Sequence, residues 1–312
     1  MNLQQLEYII ALDKYKNFSK AAESCFITQA TLSTMVKKLE EELDLIIFDR
    51  KTNPIITTEC GQEIIIEAQK VINHTKTLKL LAAEVKGTIK GEINIGIIPT
   101  ISANLLHRIL PSILFKFPEL KITIQEITTN VIVSKLKTGE LDFGIVSTPL
   151  KNSEIEDEIL YYEKLVVYGC KNHEKTKFTN PKELSNEKMW LMEKGNCLSE
   201  QIIDVCGLNS KNAFSNLNFY PNTFETLINL VDNLNGLTLI PELYYVDLPL
   251  EKKANVCDFN APYPVREISM IYHRPYAKLR ILEALSKEIK LIVTPLLQTS
   301  SIKNSDMIIA KI

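Results

Sequence analysis

The sequence predicts an α/β protein in two parts, a helical N-terminal stretch and a longer stretch in which strands and helices alternate. Three observations carry this expectation. Apolar residues near the N-terminus recur every three or four positions in short runs split by a tight turn, the spacing of packed helices. A later run keeps a four-and-three rhythm from Ile64 to Val85, long enough for one extended helix. From Glu92 onward, short runs rich in Ile, Val and Leu alternate with helical runs, as they do when helices cover a mostly parallel sheet. At 312 residues, 45% hydrophobic and 24% charged, the chain is too long for one ordinary core and too apolar for disorder. Its formal net charge of -2 supplies no global basic field.

The elements follow in order. Residues 3 to 12 place Leu3, Leu6, Ile9 and Ile10 on one helical face. A second short helix runs Ser19 to Ser24, behind Phe18, with Ala21 and Ala22 leaving room for a close neighbour. Cys25-Phe26-Ile27 interrupts it, and Thr28 is placed to cap a third helix from Gln29 to about Leu43. Leu32, Val36, Leu39 and Leu43 are expected to face the core. Gln29, Thr31, Ser33, Thr34 and Lys37 are expected to face outward, where the major groove of double-stranded DNA would lie. Phe48 to Thr57 reads as a turn between short strands, a wing that can carry Arg50 and Lys51 to phosphates. The first sixty residues hold seven basic and nine acidic side chains, so the DNA reading rests on placement: Glu40, Glu41, Glu42 and Asp44 sit at the far end of the third helix.

These segments resemble a known family. Phe18-Ser19-Lys20-Ala21-Ala22, Thr28-Gln29-Ala30-Thr31-Leu32-Ser33, Lys38 to Leu43, Leu45 to Arg50 and Thr57-Thr58-Glu59-Cys60-Gly61 look like the winged helix-turn-helix of LysR-type transcriptional regulators, with matching spacing. One departure is Ala30, where the family commonly carries proline. The long helix, Glu59 to about Lys86, sets Ile64, Ala68, Val71, Thr75, Leu78, Ala82 and Val85 on a heptad seam. Such a seam can pack on its own domain or on a second chain. The resemblance implies the second: a linker helix that dimerises and sets two recognition helices on inverted-repeat half-sites. Gly87 to Gly91 then breaks the pattern.

Beyond the break, strands are expected at Ile93–Ile97, Lys121–Ile127, Leu141–Val146, Leu165–Tyr168, Met189–Met192, Asn218–Tyr220, Leu237–Ile240 and Arg266–Tyr272. Helices are expected at Leu105–Phe117, Val131–Leu136, Thr223–Leu234 and Lys278–Leu291. The same family carries a two-lobed, periplasmic-binding-protein-like α/β effector domain, and the resemblance implies one here, with the chain crossing between lobes near residues 163 and 267. The expected division is 1–58 for the winged helix-turn-helix, 59–90 for the linker (dimerisation) helix and hinge, 91–302 for the effector domain and 303–312 for a tail with no assigned role. Lobe I comprises 91–163 and 267–302, lobe II 164–266. Thr100 and Thr129 fall at strand ends, where ligands of α/β sheets bind.

The stretch Gly195-Asn196-Cys197 to Cys206-Gly207 reads as a short helix between glycines, with Leu198, Ile202 and Val205 supplying the apolar rhythm. Two cysteines nine positions apart on a helix lie roughly 13 Å apart at a rise of about 1.5 Å per residue, whereas a disulfide needs their Cα atoms within about 7 Å. They are therefore two unconnected thiols, or a switch that must unwind its own helix to close. Asn2-Leu3, Leu6-Glu7-Tyr8, Gly96 to Thr100, Leu191-Met192-Glu193, Gly195-Asn196-Cys197, Cys206, Ser215 to Leu227, Gly236 to Pro241 and Tyr272-His273-Arg274-Pro275 resemble the peroxide-sensing members of the LysR-type family. That resemblance implies that hydrogen peroxide oxidises Cys197 and that Cys206 resolves it as an intramolecular disulfide. It also assigns Thr100, Thr129, Asn196, Glu200 and Arg266 to the peroxide pocket. Asn196 stands where those proteins usually have histidine, and Glu200 where they have aspartate. A cysteine at a helix N-terminus near cations is expected to have a lowered pKa.

Cys25, Cys60, Cys170 and Cys257 have no such setting and are read as packing residues. The cysteines form no CxxC pair and no Cys/His spacing for zinc, so neither a metal nor a cofactor is expected. The N-terminus lacks the pattern of a signal peptide and no run is long enough for a membrane span, which suggests a cytoplasmic protein. The family further implies a homo-tetramer, a dimer of dimers, on promoter DNA, with RNA polymerase as a possible partner. Two other readings are a LysR-type regulator sensing a small metabolite between the lobes, and a thiol peroxidase. A winged helix has no use in the latter, so no enzyme is expected.

Overall fold

A computed structural model describes residues 1–52, 54–84, 89–170, 177–193, 195–208, 219–273 and 278–311. The chain divides into two compact units, Met1–Thr88 with Lys137–Glu140, and Ile89–Leu136 with Leu141–Ile312.

In the first unit, α1 (Leu3–Tyr15), α2 (Phe18–Ser24) and α3 (Gln29–Leu43) each start at a side-chain cap. Asn2 and Gln5 form a reciprocal capping box, Asn17 caps α2, and Thr28 accepts the Thr31 N–H at 3.2 Å. Leu6, Ile9, Leu12, Leu32, Val36 and Leu39 form the core, and Ala21 and Ala22 let α2 come close. Leu3, expected on the buried face, occupies the first helical position and stays 46% exposed. The wing is a two-stranded antiparallel ribbon of β1 (Phe48–Asp49) and β2 (Ile56–Thr57). Along α4 (Glu59–Glu84) the expected seam divides. Ala68 is buried, beside Ile65 and Ile72, in the core of its own unit, whereas Val71 and Leu78 are exposed. The side chain of Ala82, and Val85 altogether, lie outside the described residues.

In the second unit, β3 (Gly91–Ile97), α5 (Pro99–Lys116), β4 (Leu120–Glu126), α6 (Thr129–Thr138) and β5 (Phe143–Thr148) alternate, and the three strands pair in parallel. Next come β6 (Ile155–Tyr168), β7 (Lys177–Phe178), α7 (Cys197–Cys206), α8 (Phe224–Leu234), β8 (Thr238–Pro241), α9 (Glu242–Asp247), α10 (Leu250–Lys253) and β9 (Val256–Phe259). Last are β10 (Tyr263–His273), α11 (Leu279–Val293) and β11 (Met307–Ile309). The sheet order is β4-β3-β5-β10-β6-β9-β7, with β8 on β6 and β11 on β10. Two apolar cores flank this sheet. One gathers around β3, β5, α5 and α11, the other around α7, α8 and β8. The antiparallel strands β6 and β10 run through both: Leu160 and Tyr161 belong to the first core, Leu165 to Tyr168 to the second.

Several expectations change. Met189–Met192 is not a strand; Met189 forms an isolated bridge with Leu237. Phe219 and Tyr220 are not in a strand, and Asn218 lies outside the described residues. β6 begins ten residues before the expected Leu165, because backbone pairing with β10 holds Ile155–Lys164 extended although its charges interrupt the apolar pattern. Within the tail 303–312, given no role, Met307–Ile309 return to the sheet as β11.

Cys170 and Cys257 were expected to be packing thiols. They instead form a disulfide, with Cα atoms 6.0 Å apart, joining the end of β6 to β9. Cys60 is exposed rather than packed. Among the described residues no helix is long and apolar enough to cross a membrane.

The cross-link spans 87 positions, which in a chain-entropy model stabilises by on the order of 4–5 kcal/mol. Peptide mapping under non-reducing conditions is expected to recover the Cys170–Cys257 pair. Cys170→Ser should lower the melting temperature measured without reductant, and added reductant should erase the difference. Recovery of both residues as free thiols would contradict the pairing.

Candidate functional site

The loops that follow β3 and β4 deliver the first turns of α5 and α6 to one edge of the parallel sheet, where ligands of such sheets bind. Thr100 stands at the second position of α5 and Thr129 at the first position of α6. Cys197 opens α7, and its Sγ lies 2.8 Å from Thr129 Oγ1 in a buried hydrogen bond. α6 and α7 thus meet at their first residues, where unpaired backbone N–H groups favour negative charge.

Arg266, on β10, is 1% exposed. Its Nε donates to Glu163 Oε1 at 2.8 Å, and its terminal nitrogens donate to Thr100 Oγ1 at 3.3 Å and Thr100 O at 3.0 Å. Glu163, fully buried on β6, also accepts the Leu243 N–H at 3.0 Å. These bonds hold the guanidinium on Glu163 and Thr100, and its positive charge acts on Cys197 through space. Glu163 was absent from the expected site. A Glu-Lys pair inside the apolar run Leu160–Tyr168 was its signal, since a charge in a buried strand has to be partnered.

The thiol itself departs from expectation. Burial pushes the Cys197 pKa up; the Thr129 hydrogen bond pulls it down, Glu200 pushes it further up, and its own backbone N–H and Arg266 pull it down. The net direction is upward, because loss of solvent outweighs the hydrogen bonds and the guanidinium. Cys206, at the other end of α7, is fully buried in an apolar core and its pKa is pushed up to about 12 by burial alone. Burial thus favours the neutral thiol at both ends of α7.

Asn196, where a histidine was the family expectation, is the N-cap of α7: its Oδ1 accepts the Leu198 N–H at 3.0 Å. Glu200 is exposed in the first turn and acts on Cys197 by charge alone. Gly207 closes the helix in the left-handed conformation, φ 63°, and Gly195 has φ 86°. A side chain at 207 would strain that cap. One turn beyond Cys197, Gln201 is fully buried and donates from Nε2 to Ser147 Oγ at 2.9 Å and to Ala310 O at 3.1 Å. No periodicity singles out Gln201, because its partners are distant in sequence.

In the first unit, Gln29, Thr31, Thr34, Lys37, Arg50 and Lys51 are exposed and Ser33 is half-buried. Gln29 accepts from Ser19 Oγ at 2.8 Å, Thr34 Oγ1 donates to Ala30 O, and Lys37 pairs with Glu41 at 3.5 Å. Arg50 is held back: its guanidinium is 2.5 Å from Glu40 Oε2 and lies over the Phe18 ring. Lys51 makes no comparable ion pair among the described residues.

Residues 3–62 match the family of bacterial regulatory helix-turn-helix proteins of the lysR type, and residues 86–290 match the LysR substrate binding domain. The chain is 32% identical over 301 residues to a hydrogen peroxide-inducible genes activator of Haemophilus influenzae, covering 94% of this chain and 99% of that protein. It is 32% identical over 286 residues to the DNA-binding transcriptional dual regulator OxyR of Escherichia coli, covering 90% and 92%. Among solved structures it resembles a full-length OxyR variant of Pseudomonas aeruginosa, with TM-score 0.76 and 27% identity over 94% of this chain and 98% of that one. It also resembles reduced OxyR of Porphyromonas gingivalis, with TM-score 0.59 and 25% identity over 70% and 100%.

Because the resting group is a thiol with a raised pKa, alkylation of Cys197 is expected to accelerate steadily between about pH 6 and pH 9 rather than level off near 7. Glu200→Gln removes a charge that opposes ionisation and should speed the reaction a few-fold at pH 7. Thr129→Val removes the hydrogen bond to sulfur and should slow it. A pH profile already flat at 7 would refute the account of the thiol's environment.

Proposed function

The chain belongs to the lysR family of bacterial helix-turn-helix regulators, and from that premise we propose that it is a peroxide-sensing, DNA-binding transcriptional regulator whose switch is Cys197 and Cys206. The observation that carries the proposal is the pair of buried thiols at opposite ends of one helix, the first hydrogen-bonded to a threonine at the sheet edge.

The chemistry follows from that placement. Peroxide reaches Cys197 with Thr100 and Thr129 as its hydroxyl neighbours, and the thiol loses its proton as the sulfur attacks. The O–O bond breaks, one oxygen stays on sulfur as a sulfenic acid, and the other leaves as hydroxide and takes up the proton as water. Arg266 stabilises the negative charge on sulfur and on the leaving oxygen. Glu163, which fixes the guanidinium, is a positioning residue. Asn196 and Glu200 act on the first turn of the helix, one as its cap and the other by its charge. The thiol of Cys206 then displaces water from the sulfenic acid, forming the disulfide. That second step requires α7 to unwind, since nine residue steps of helix hold the sulfurs apart.

On this reading the exposed seam residues Val71 and Leu78 of α4 pair two chains. Two such dimers form a tetramer on inverted-repeat half-sites, and Gln29, Thr31, Ser33, Thr34 and Lys37 face the major groove. Unwinding of α7 changes how effector domains pair and so the spacing of the DNA heads. The work is done on DNA in the bacterial cytoplasm, where contact with RNA polymerase would convert it into activation.

Stoichiometric peroxide followed by thiol trapping and mass spectrometry should yield a Cys197–Cys206 link that Cys197→Ser abolishes, with Cys170–Cys257 unchanged. Both cysteines remaining reduced while promoter binding responds to a metabolite would replace this reading, and many turnovers with a thiol reductant would make the chain a peroxidase. In the DNA head, Lys51→Ala should weaken binding to all sequences alike and reduce the salt slope by about 0.9. An unchanged slope would remove Lys51 from the phosphate contacts.

A further inference from the structure

The C-terminal segment touches the helix that carries both cysteines. β11 pairs in parallel with Tyr263–Val265 at the start of β10, and the Ala310 N–H continues the ladder to Val265 O at 2.8 Å. Ala310 is fully buried within the apolar core that also holds Cys206, Leu198 and Ile202. Its carbonyl accepts from Gln201 Nε2 at 3.1 Å, and the Lys311 N–H donates to Asp204 Oδ2 at 3.2 Å. Both anchors, 201 and 204, lie between the two cysteines.

We propose that residues 307–311 are a strap that holds α7 wound and so sets how readily the Cys197–Cys206 disulfide closes. This rests on the peroxide-sensor reading above. Closing must bring Cα atoms from roughly 13 Å to within about 7 Å. Unwinding must therefore extend inward from a helix end, through the turn that carries Asp204 and toward Gln201. As it does, Asp204 loses the Lys311 N–H and the buried Gln201 amide loses its Ala310 acceptor. Both losses fall on the closing step and neither on the first, because Cys197, Thr129 and Arg266 stay where they are while the sulfenic acid forms. The strap therefore favours the thiol form and separates the two halves of the redox reaction in time. Its other edge lies on Val265, next to Arg266, which ties the helix to the strand that carries the cation of the site.

The test uses the full chain and a variant lacking residues 307–312, each treated with stoichiometric hydrogen peroxide. Sulfenic acid formation is followed by trapping, and closure by the appearance of the Cys197–Cys206 link. The strap predicts sulfenic acid formation within about twofold of the full chain and closure at least tenfold faster. It also predicts a disulfide at least tenfold harder to reduce in a glutathione titration, about 30 mV on a two-electron couple. A synthetic peptide of residues 303–312 should slow closure again when added to the shortened chain. Should the shortened chain not fold, Asp204→Ala in the full chain removes one anchor from an exposed side chain and should still close at least twofold faster. The effect on the helix itself has the opposite sign, since loss of an acidic group from the last turn favours winding. Closure no faster than wild type in either variant overturns the strap while leaving the sensor reading intact. Failure of the full chain itself to form the link overturns both.

Discussion

A wound helix keeps two sulfurs apart, and much of the regulatory unit bears on that separation. α7 is ten residues long, begins at one cysteine and ends at the other. Its ends are secured by ordinary local means. Asn196 satisfies an N–H at the start and Gly207 takes the left-handed conformation at the finish, each of which is worth on the order of 1 kcal/mol or less. Its middle is secured by tertiary means, through Leu198, Ile202 and Cys206 in the core and through Gln201 and Asp204 to the C-terminal segment. On the proposed reading, a chemical event at one sulfur becomes a change of fold only by undoing several weak contacts together.

Burial then shapes the reactivity. Water is excluded from Cys197 by the same packing that positions it against Thr129, so its pKa rises although two helix starts and a guanidinium are near. The guanidinium is itself buried, and the enclosing cost is met by Glu163, which is also buried and has a second N–H from Leu243. Removing either member of such a pair strands a charge and costs several kcal/mol, on the order of 3–5. β6, which carries Glu163, contributes residues to both cores, so the ion pair sits within the frame of the fold.

Most of the helix-turn-helix was legible, although Leu3 stays exposed and Leu43 is only half-buried. Leu32, Val36 and Leu39 are buried as helical spacing required, and Thr28 caps α3 as its type suggested. The parallel strands and the helices between them were legible for the same reason: each element satisfies its own backbone and shows one apolar face. What the pattern mistook were places where pairing overrules composition. Charged residues in the first half of β6 are held extended by β10, Met189–Met192 is apolar but has too little partner to be a strand, and Ala68 of the seam turns inward to its own core. Arg50 is engaged by Glu40 and Phe18 before any phosphate is met.

By itself the sequence determined the family, the helical head, the alternating α/β body and the identity of the helix that holds Cys197 and Cys206, since all of these follow from local spacing and residue type. Only the tertiary structure decided which groups surround the sulfur and with what electrical effect. It set Cys170 against Cys257, buried Arg266 with Glu163, raised the thiol's pKa where a lowered one was expected, and brought residues 307–311 onto α7. The reason is common to all four. Each depends on groups far apart in the chain, and neither solvent exclusion nor a contact between distant residues leaves a periodic trace in the sequence.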